Sequence, residues 1–410
     1  MRRVVITGLG VVSPLGCDLP TVWQKLQAGE SGLGLITKFD ATDFGSKIAG
    51  EVSDFDPSEA VDRKAQRRMD EFSLFAMVAA KSAVEDSGID FSAEDSTRMG
   101  VIVSSGIGGL QTLEVQAKSI RERGPSRCSP FMIPQMIINM ASGLIAIEYG
   151  CQGPNFAVVT ACASASHGLG VSMHSIQRGE ADVIISGGTE ASVTSLGVGG
   201  FCAMRALSTR NDDPTAASRP FDVDRDGFVI ADGAAILILE ELEHAKARGA
   251  KIYCELAGFG MSCDAYHITA PSETGDGAAR AIKMAMQTAG VTPEDISYIN
   301  AHGTSTQLND IMETQAIRGA LGEAANSVMV SSTKSMTGHM LGAAGGFEAA
   351  AVALALRDQV VPPTINHHKP DPKCDLDYVP NEARQTEVNV CLSNSLGFGG
   401  HNACVAFKKV

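Results

Sequence analysis

At 410 residues, with 44% hydrophobic and 20% charged residues, the chain can bury a sizeable core as two or three domains or one fused body. Its net charge of −14 argues against a general nucleic-acid binder, and no stretch approaches the roughly 18 apolar residues a membrane span requires. The ten cysteines include no C-x-x-C pair, which disfavours a zinc ribbon or thioredoxin motif, and their scatter through a chain without a signal peptide points to reduced thiols in the cytoplasm.

In chain order, Val4-Val5-Ile6-Thr7 predicts a buried strand, and Gly8 and Gly10 then predict a turn. The Gly8-Leu9-Gly10 segment lacks the rest of a dinucleotide-binding fingerprint. Arg63, Lys64, Arg67 and Arg68 cluster within six positions, and Arg123, Arg127, Arg205 and Arg210 add positive charge further on. A solvated helix face explains such a cluster without any partner. Phe72 to Ser87 has helical apolar spacing, and Val101-Ile102-Val103 predicts another strand. Phe156 to Val159 predicts a buried strand, and the small residues after Cys162 a tightly packed helix. Asp182 to Ile185, Ala235 to Leu239 and Ile296 to Asn300 predict further strands, and the prolines and aspartates of Pro362 to Asp377 a surface loop. This alternation argues for an α/β fold with helices on both faces of a sheet.

The chain also repeats itself. Val158 to Cys162 can be laid on Val330 to Lys334, and at the same offset of 172 positions His167 falls on His339 and Gly170 on Gly342. Phe72 to Asp90 similarly matches Gly277 to Thr292. Two related α/β halves follow, 1–250 and 251–410, packed as one body because no low-complexity linker separates them.

Four segments carry candidate chemistry. Cys162 stands between a strand and a helix start, where the helix dipole favours thiolate, although a buried structural cysteine is the plainer explanation. Asn300 to Thr306 delivers His302 into a turn of small polar residues. Ser331 to His339 places Lys334 and His339 five positions apart, and Phe398 is embedded among Gly397, Gly399 and Gly400. Singly, His302 could bond locally, Lys334 could sit at a solvated turn and Phe398 could plug a core gap. Together they make a thiol, two imidazoles and an ammonium at strand ends, where α/β sheets bind ligands.

These motifs, Thr160-Ala161-Cys162, Asn300 to Thr306, Lys334 to His339 and Gly397 to Gly400, resemble those of the condensing enzymes of the thiolase superfamily, most closely the bacterial type II 3-oxoacyl-acyl-carrier-protein synthases. The resemblance runs over nearly the whole chain. It implies a thiolase-like fold of two halves in α-β-α-β-α layers, and decarboxylative condensation of an enzyme-bound acyl group with malonyl-acyl-carrier protein in fatty acid elongation. It implies Cys162 as acyl acceptor, His302 and His339 completing the triad, Lys334 beside them, Asp310 and Glu348 as supporting acids, and Phe398 as gatekeeper. The backbone N–H groups of Phe398 and Cys162 would form the oxyanion hole. Ile107, Met132 and Phe201 match acyl-pocket positions. Arg63, Lys64, Arg67, Arg68, Arg127 and Arg205 fall where the family docks its acidic carrier protein. No metal or organic cofactor is implied, and a homodimer is. Gln307, Asn309, Leu396 and His401 depart from common family residues without touching the triad. A polyketide ketosynthase shares this chemistry. A non-catalytic chain-length partner does not, and the retained cysteine and histidines speak against one.

Overall fold

The computed structural model describes residues 2–410. Among them, ten strands share one sheet: β1 Val4–Val12, β2 Met99–Ser104, β3 Asn155–Phe156, β4 Val183–Glu190, β5 Gly233–Glu241, β6 Cys254–Cys263, β7 Tyr298–Asn300, β8 Met329–Ser331, β9 Val390–Gly397 and β10 His401–Lys408. Their order in space is β8-β7-β9-β10-β6-β1-β5-β4-β2-β3. From the β1/β6 junction outward, the first five strands run 1-5-4-2-3 and the second five 6-10-9-7-8, so the two orders are the same. The strand senses also repeat. The two pairings nearest the junction in each half after β1/β6 are antiparallel and the outer two parallel.

The principal helices are α1 Glu71–Ser87, α2 Leu110–Arg123, α3 Ser164–Gln177, α4 Asp276–Ala289, α5 Gln307–Leu321 and α6 Ala344–Asp358. α1 packs on β1, β5 and β4, and α4 packs on β6 and β10, with α5 against α4. α3 and α6 touch strands of both halves and lie between them, which makes five layers, α-β-α-β-α. Every residue of α6 from Ala344 to Leu356 is buried. A helix buried on every face, with Glu348 its one charged residue over that stretch, belongs in such an interior position.

The structure alters four expectations. β1 does not turn at Gly8 but continues to Val12. A Cβ at Gly8 would sit 2.2 Å from the Ala83 carbonyl oxygen, and one at Gly10 2.0 Å from that of Ala79, so these glycines let α1 lie directly on the strand. Gly258 and Gly260 do the same in the second half, where added Cβ atoms would meet the carbonyl oxygens of Ala285 at 2.4 Å and Ala281 at 2.0 Å. The strand expected at Phe156 to Val159 is only two residues long and exposed, because β3 is the outermost strand and one of its edges is open. The offset of 172 also fails over the long helices. α3 and α6 begin 180 positions apart, since Lys334–Thr337 and Leu341–Ala343 form extra short turns before α6. In the loop after Pro362, residues 362–365 are buried rather than at the surface.

The glycine packing makes a prediction. Gly10→Ala and Gly260→Ala each force two backbones apart and should cost about 1–3 kcal/mol. Gly319→Ala, in α5 with only ordinary contact at 3.8 Å, should be neutral or stabilising by roughly 0.5–1 kcal/mol. Urea melts of the three variants check this, and equal midpoints would contradict the packing argument.

Candidate active site

The site forms where loops leave the carboxyl ends of the strands, which are the ligand-binding ends of an open α/β sheet. Cys162 follows β3 and stands two residues ahead of α3. The preceding Ala161 has φ +52°, a conformation that a non-glycine residue adopts only when its surroundings impose it. His302 lies two residues beyond β7. Both carboxylate oxygens of Glu313, on α5, clamp its turn, accepting the backbone N–H groups of His302 and Gly303 at 2.7 Å each. Asn394 donates to Glu313 at 3.2 Å. His339 follows β8. It is pinned through its backbone, where its N–H donates to Val229 at 2.7 Å and its carbonyl accepts from Ala231 at 3.0 Å.

The two imidazoles are buried and meet edge to face, with ring centroids 5.3 Å apart. Nδ1 of His302 and both ring nitrogens of His339 have no protein partner. Cys162, His302 and His339 line one cavity of about 480 Å³, with Phe201, Phe228, Leu341 and Phe398 among its apolar walls. Lys334 lies behind this wall, 2% exposed, and is ion-paired to Glu348 of α6. The other Glu348 oxygen is unpartnered.

The electrostatics depart from the expectation for Cys162. Burial pushes its thiol up to about 12, and nearby Glu190 pushes the same way. Lys334 and the backbone N–H groups of Phe398 and of Cys162 itself act in opposition. Cys162 therefore rests as a thiol, because its 7% exposure outweighs a helix end two residues away. Burial and then Lys334 hold His302 and His339 well below the ordinary imidazole value, and His339 lowers His302 further. Both rings are thus neutral at pH 7. Burial raises the Glu348 carboxyl, against the opposing pull of Lys334.

Other expected residues are placed unevenly. Phe398 occupies the hairpin turn between β9 and β10, where Gly399 and Gly400 have φ +87° and +77°. Its ring centroid lies 6.4 Å from that of Phe201. Asp310 makes no hydrogen bond to His302. It is fully buried, accepts the Phe221 N–H at 2.9 Å and lies 3.5 Å from Arg225. Glu313, one helical turn further along α5, is the acid that holds the His302 turn, and the sequence analysis did not single it out. Ile107 and Met132 do not line the cavity of Cys162. The Ile107 backbone turns toward Glu190, and its side chain is 37% exposed on a separate concavity with Leu113 and Val159. Met132 packs on Cys128, with the two sulfurs 3.5 Å apart. Arg205 lines the cavity. Arg63, Lys64, Arg67, Arg68 and Arg127 are exposed elsewhere, with Arg68 over the Phe131 ring and the Arg67 carbonyl accepting from Gln135. Gln307, Asn309 and Leu396 lie in the cavity wall.

The beta-ketoacyl synthase N-terminal domain matches residues 1–245 and the C-terminal domain residues 253–368. The chain belongs to the beta-ketoacyl synthase family. A Synechocystis sp. protein named 3-oxoacyl-[acyl-carrier-protein] synthase 2 is 55% identical over 408 residues, covering 100% of this chain and 98% of that one. A Coxiella burnetii protein of the same name is 52% identical over 409 residues, covering 100% and 99%. Among solved structures, a type II polyketide ketosynthase in complex with its acyl-carrier protein superposes with a TM-score of 0.93 at 38% identity, covering 100% of this chain and 99% of that one. A beta-ketoacyl synthase from Burkholderia phymatum gives 0.93 at 33%, with both chains fully covered. The thiolase-like α/β fold and the acyltransferase class of this family are thereby those of this chain. Among the described residues no helix is long and apolar enough to cross a membrane.

Neutral buried histidines have a consequence for stability. An unfolded imidazole takes up a proton near pH 6.5, whereas these two resist it when folded, so the unfolded state binds more protons below that value. Stability therefore falls as pH drops from about 6.5 toward the lowered folded values. Urea unfolding at pH 7.5 and 5.5 should show the wild type losing about 1 kcal/mol more per histidine than a His302→Asn, His339→Asn double variant. Equal losses would mean that the rings protonate freely.

Proposed function

We propose that this chain catalyses the decarboxylative condensation of an acyl group with malonyl-acyl-carrier protein, yielding a 3-oxoacyl-acyl-carrier protein in fatty acid elongation. The observation that carries the reading is the convergence of Cys162 from the first half with His302 and His339 from the second on one cavity. The curated relatives at 50–55% identity bear the name of that activity.

In the first stage the Cys162 sulfur attacks the carbonyl carbon of an acyl thioester. The new C–S bond forms as the carrier's C–S bond breaks, and the cysteine proton leaves with the carrier thiol. The tetrahedral oxyanion accepts hydrogen bonds from the N–H groups of Cys162 and Phe398, which face the sulfur. In the second stage the malonyl C–C bond breaks, carbon dioxide departs, and the electron pair spreads onto the thioester oxygen. Neutral His302 and His339, whose ring nitrogens carry no competing partner, donate to that oxygen. The carbanion then attacks the acyl-cysteine carbonyl, forming the new C–C bond and expelling the Cys162 sulfur. That sulfur takes up one proton and returns to the thiol that its buried site favours. Lys334, paired to Glu348, places positive charge behind the imidazoles and adds to the burial that keeps them neutral.

Several finer points belong to the same reading. Phe398 gates the cavity on a turn whose glycines permit movement. Arg205 at the cavity and the exposed Arg63, Lys64, Arg67, Arg68 and Arg127 receive the acidic carrier protein. The open edge at β3, with Phe156 39%, Val159 51% and Ile147 78% exposed, is covered by a second copy in a homodimer. The halves divide near residue 250, and the enzyme works in the cytoplasm. The likeness to a polyketide ketosynthase favours one other reading, repeated extension of an unreduced chain.

Incubation with an acyl-carrier-protein thioester should add one acyl mass to a peptide containing Cys162, and Cys162→Ala should remove it. His302→Ala or His339→Ala should lower malonyl decarboxylation by at least about 10²-fold. An active wild-type enzyme with an unmodified Cys162 peptide would falsify the nucleophile. A single two-carbon extension of the primer supports fatty acid elongation, and serial unreduced extension the polyketide reading.

A further inference from the structure

Glu190 is a fully buried carboxylate to which the reaction above assigns no role. It ends β4, and Gly188, two residues earlier, pairs in register with Ser104 at the end of β2. The side chain therefore lies against the loop that leaves β2. That loop closes around it. The Ser105 hydroxyl donates to Oε1 at 2.8 Å and the Ile107 N–H at 3.1 Å, while the Gly106 N–H donates to Oε2 at 2.7 Å. A longer contact comes from the Gly108 N–H at 3.4 Å. The fifth donor belongs to the other half of the chain, the Gly342 N–H at 3.0 Å. No lysine or arginine among the described residues pairs with this carboxylate, and each of its donors is a backbone amide or a hydroxyl.

The elements it joins border the nucleophile. A Cβ at Gly106 would lie 2.8 Å from Glu190 Oε2 and 3.5 Å from both the Ala161 carbonyl oxygen and the Gly342 nitrogen. A Cβ at Gly342 would lie 2.2 Å from the Gly106 nitrogen. Leu341, next to Gly342, has φ +46° and forms part of the cavity wall. Three backbone turns thus meet with no side-chain bulk between them, and one carboxylate holds two of them against the third. Such a cluster of N–H groups repels itself unless an anion occupies its centre.

We propose that Glu190 is a positioning residue, fastening the Ser105–Gly108 loop and the Gly342 turn against the Ala161–Cys162 turn so that the Cys162 sulfur is held in line for acyl transfer. This rests on the reading of Cys162 as acyl acceptor. The fastening carries an electrostatic penalty, because the carboxylate opposes ionisation of the thiol. A purely structural role would be served as well by an uncharged acceptor. Five N–H and O–H donors are not, since an amide in place of the carboxylate turns a donor of its own toward them.

The histidines are held separately, by Glu313 and Val229. The two stages of the reaction should therefore separate in Glu190→Gln. Acylation of Cys162 by a carrier-bound acyl thioester, followed by intact mass, should slow by roughly tenfold or more. Decarboxylation of malonyl-acyl-carrier protein should stay within about twofold of wild type, and Glu190→Asp should recover part of the acylation rate. Acylation and decarboxylation falling by the same factor, or acylation unchanged, would overturn the proposal. If Glu190→Gln does not fold, Ser105→Ala, which removes one of the five donors, decides the matter. A selective fall in acylation supports the fastening, and an unchanged ratio of the two rates rejects it. Failure of wild-type Cys162 to accept any acyl group would instead remove the reading on which the proposal rests.

Discussion

The organisation of this molecule depends on how closely two five-strand halves approach each other through their middle layer. α3 and α6 lie between the halves, and the contacts around them are made by residues with almost no side chain. An added Cβ at Gly345 would meet the Ser166 hydroxyl at 2.1 Å, and one at Gly188 would meet the Gly342 carbonyl oxygen at 2.6 Å. Ser166 on α3 and Ser395 on β9 share a hydrogen bond of 2.7 Å across the same interface. Bulkier residues would push the halves apart, and the thiol and the imidazoles would no longer share a cavity. Gly188, Gly342 and Gly345 stand in this layer because the approach leaves no room for a Cβ.

Burial also sets the chemistry of the site. A thiol, two imidazoles and an ion pair are all removed from water, and desolvation is the largest influence on Cys162, His302, His339 and Glu348. Each group is thereby pushed toward its neutral form. Lys334 and Glu348 remain together because either one alone would be an uncompensated buried charge, a loss worth about 3–5 kcal/mol. The positive charge of Lys334 near the histidines makes protonation of those rings still less favourable. Hydrogen-bond donors that are neutral and unpartnered respond only when negative charge appears on a substrate, which is the condition for stabilising a transition state rather than a ground state.

Much of this was legible in the sequence. Apolar runs marked most of the strands, and Cys162, His302, Lys334, His339 and Phe398 could be picked out because polar or reactive residues stood just beyond strand ends among small neighbours. The duplication was legible as a series, although its offset could not hold across the short turns before α6. What escaped the reading depends on contacts distant in sequence. Gly8 and Gly10 look like a turn until α1 is seen lying on them. Asp310 and Glu313 are both acids on α5, and only the fold shows that the second reaches the His302 turn while the first serves Phe221 and Arg225. Glu190 offered a signal that was not used, a carboxylate at the end of an apolar strand, where a charge requires a partner.

The repeat explains why two acids serve similar loops. β2 and β7 occupy equivalent places in the two halves, and the loop leaving each is gathered around a buried carboxylate that accepts backbone N–H groups. The carboxylates come from different elements, β4 in one half and α5 in the other, so the equivalence lies in the loops rather than in the acids. β3 and β8 are likewise equivalent, and beyond them stand Cys162 in one half and Lys334 with His339 in the other. Neither half holds both the thiol and the two imidazoles of the cavity. The two loop sets reach one cavity because the small residues of the middle layer let the halves approach so closely.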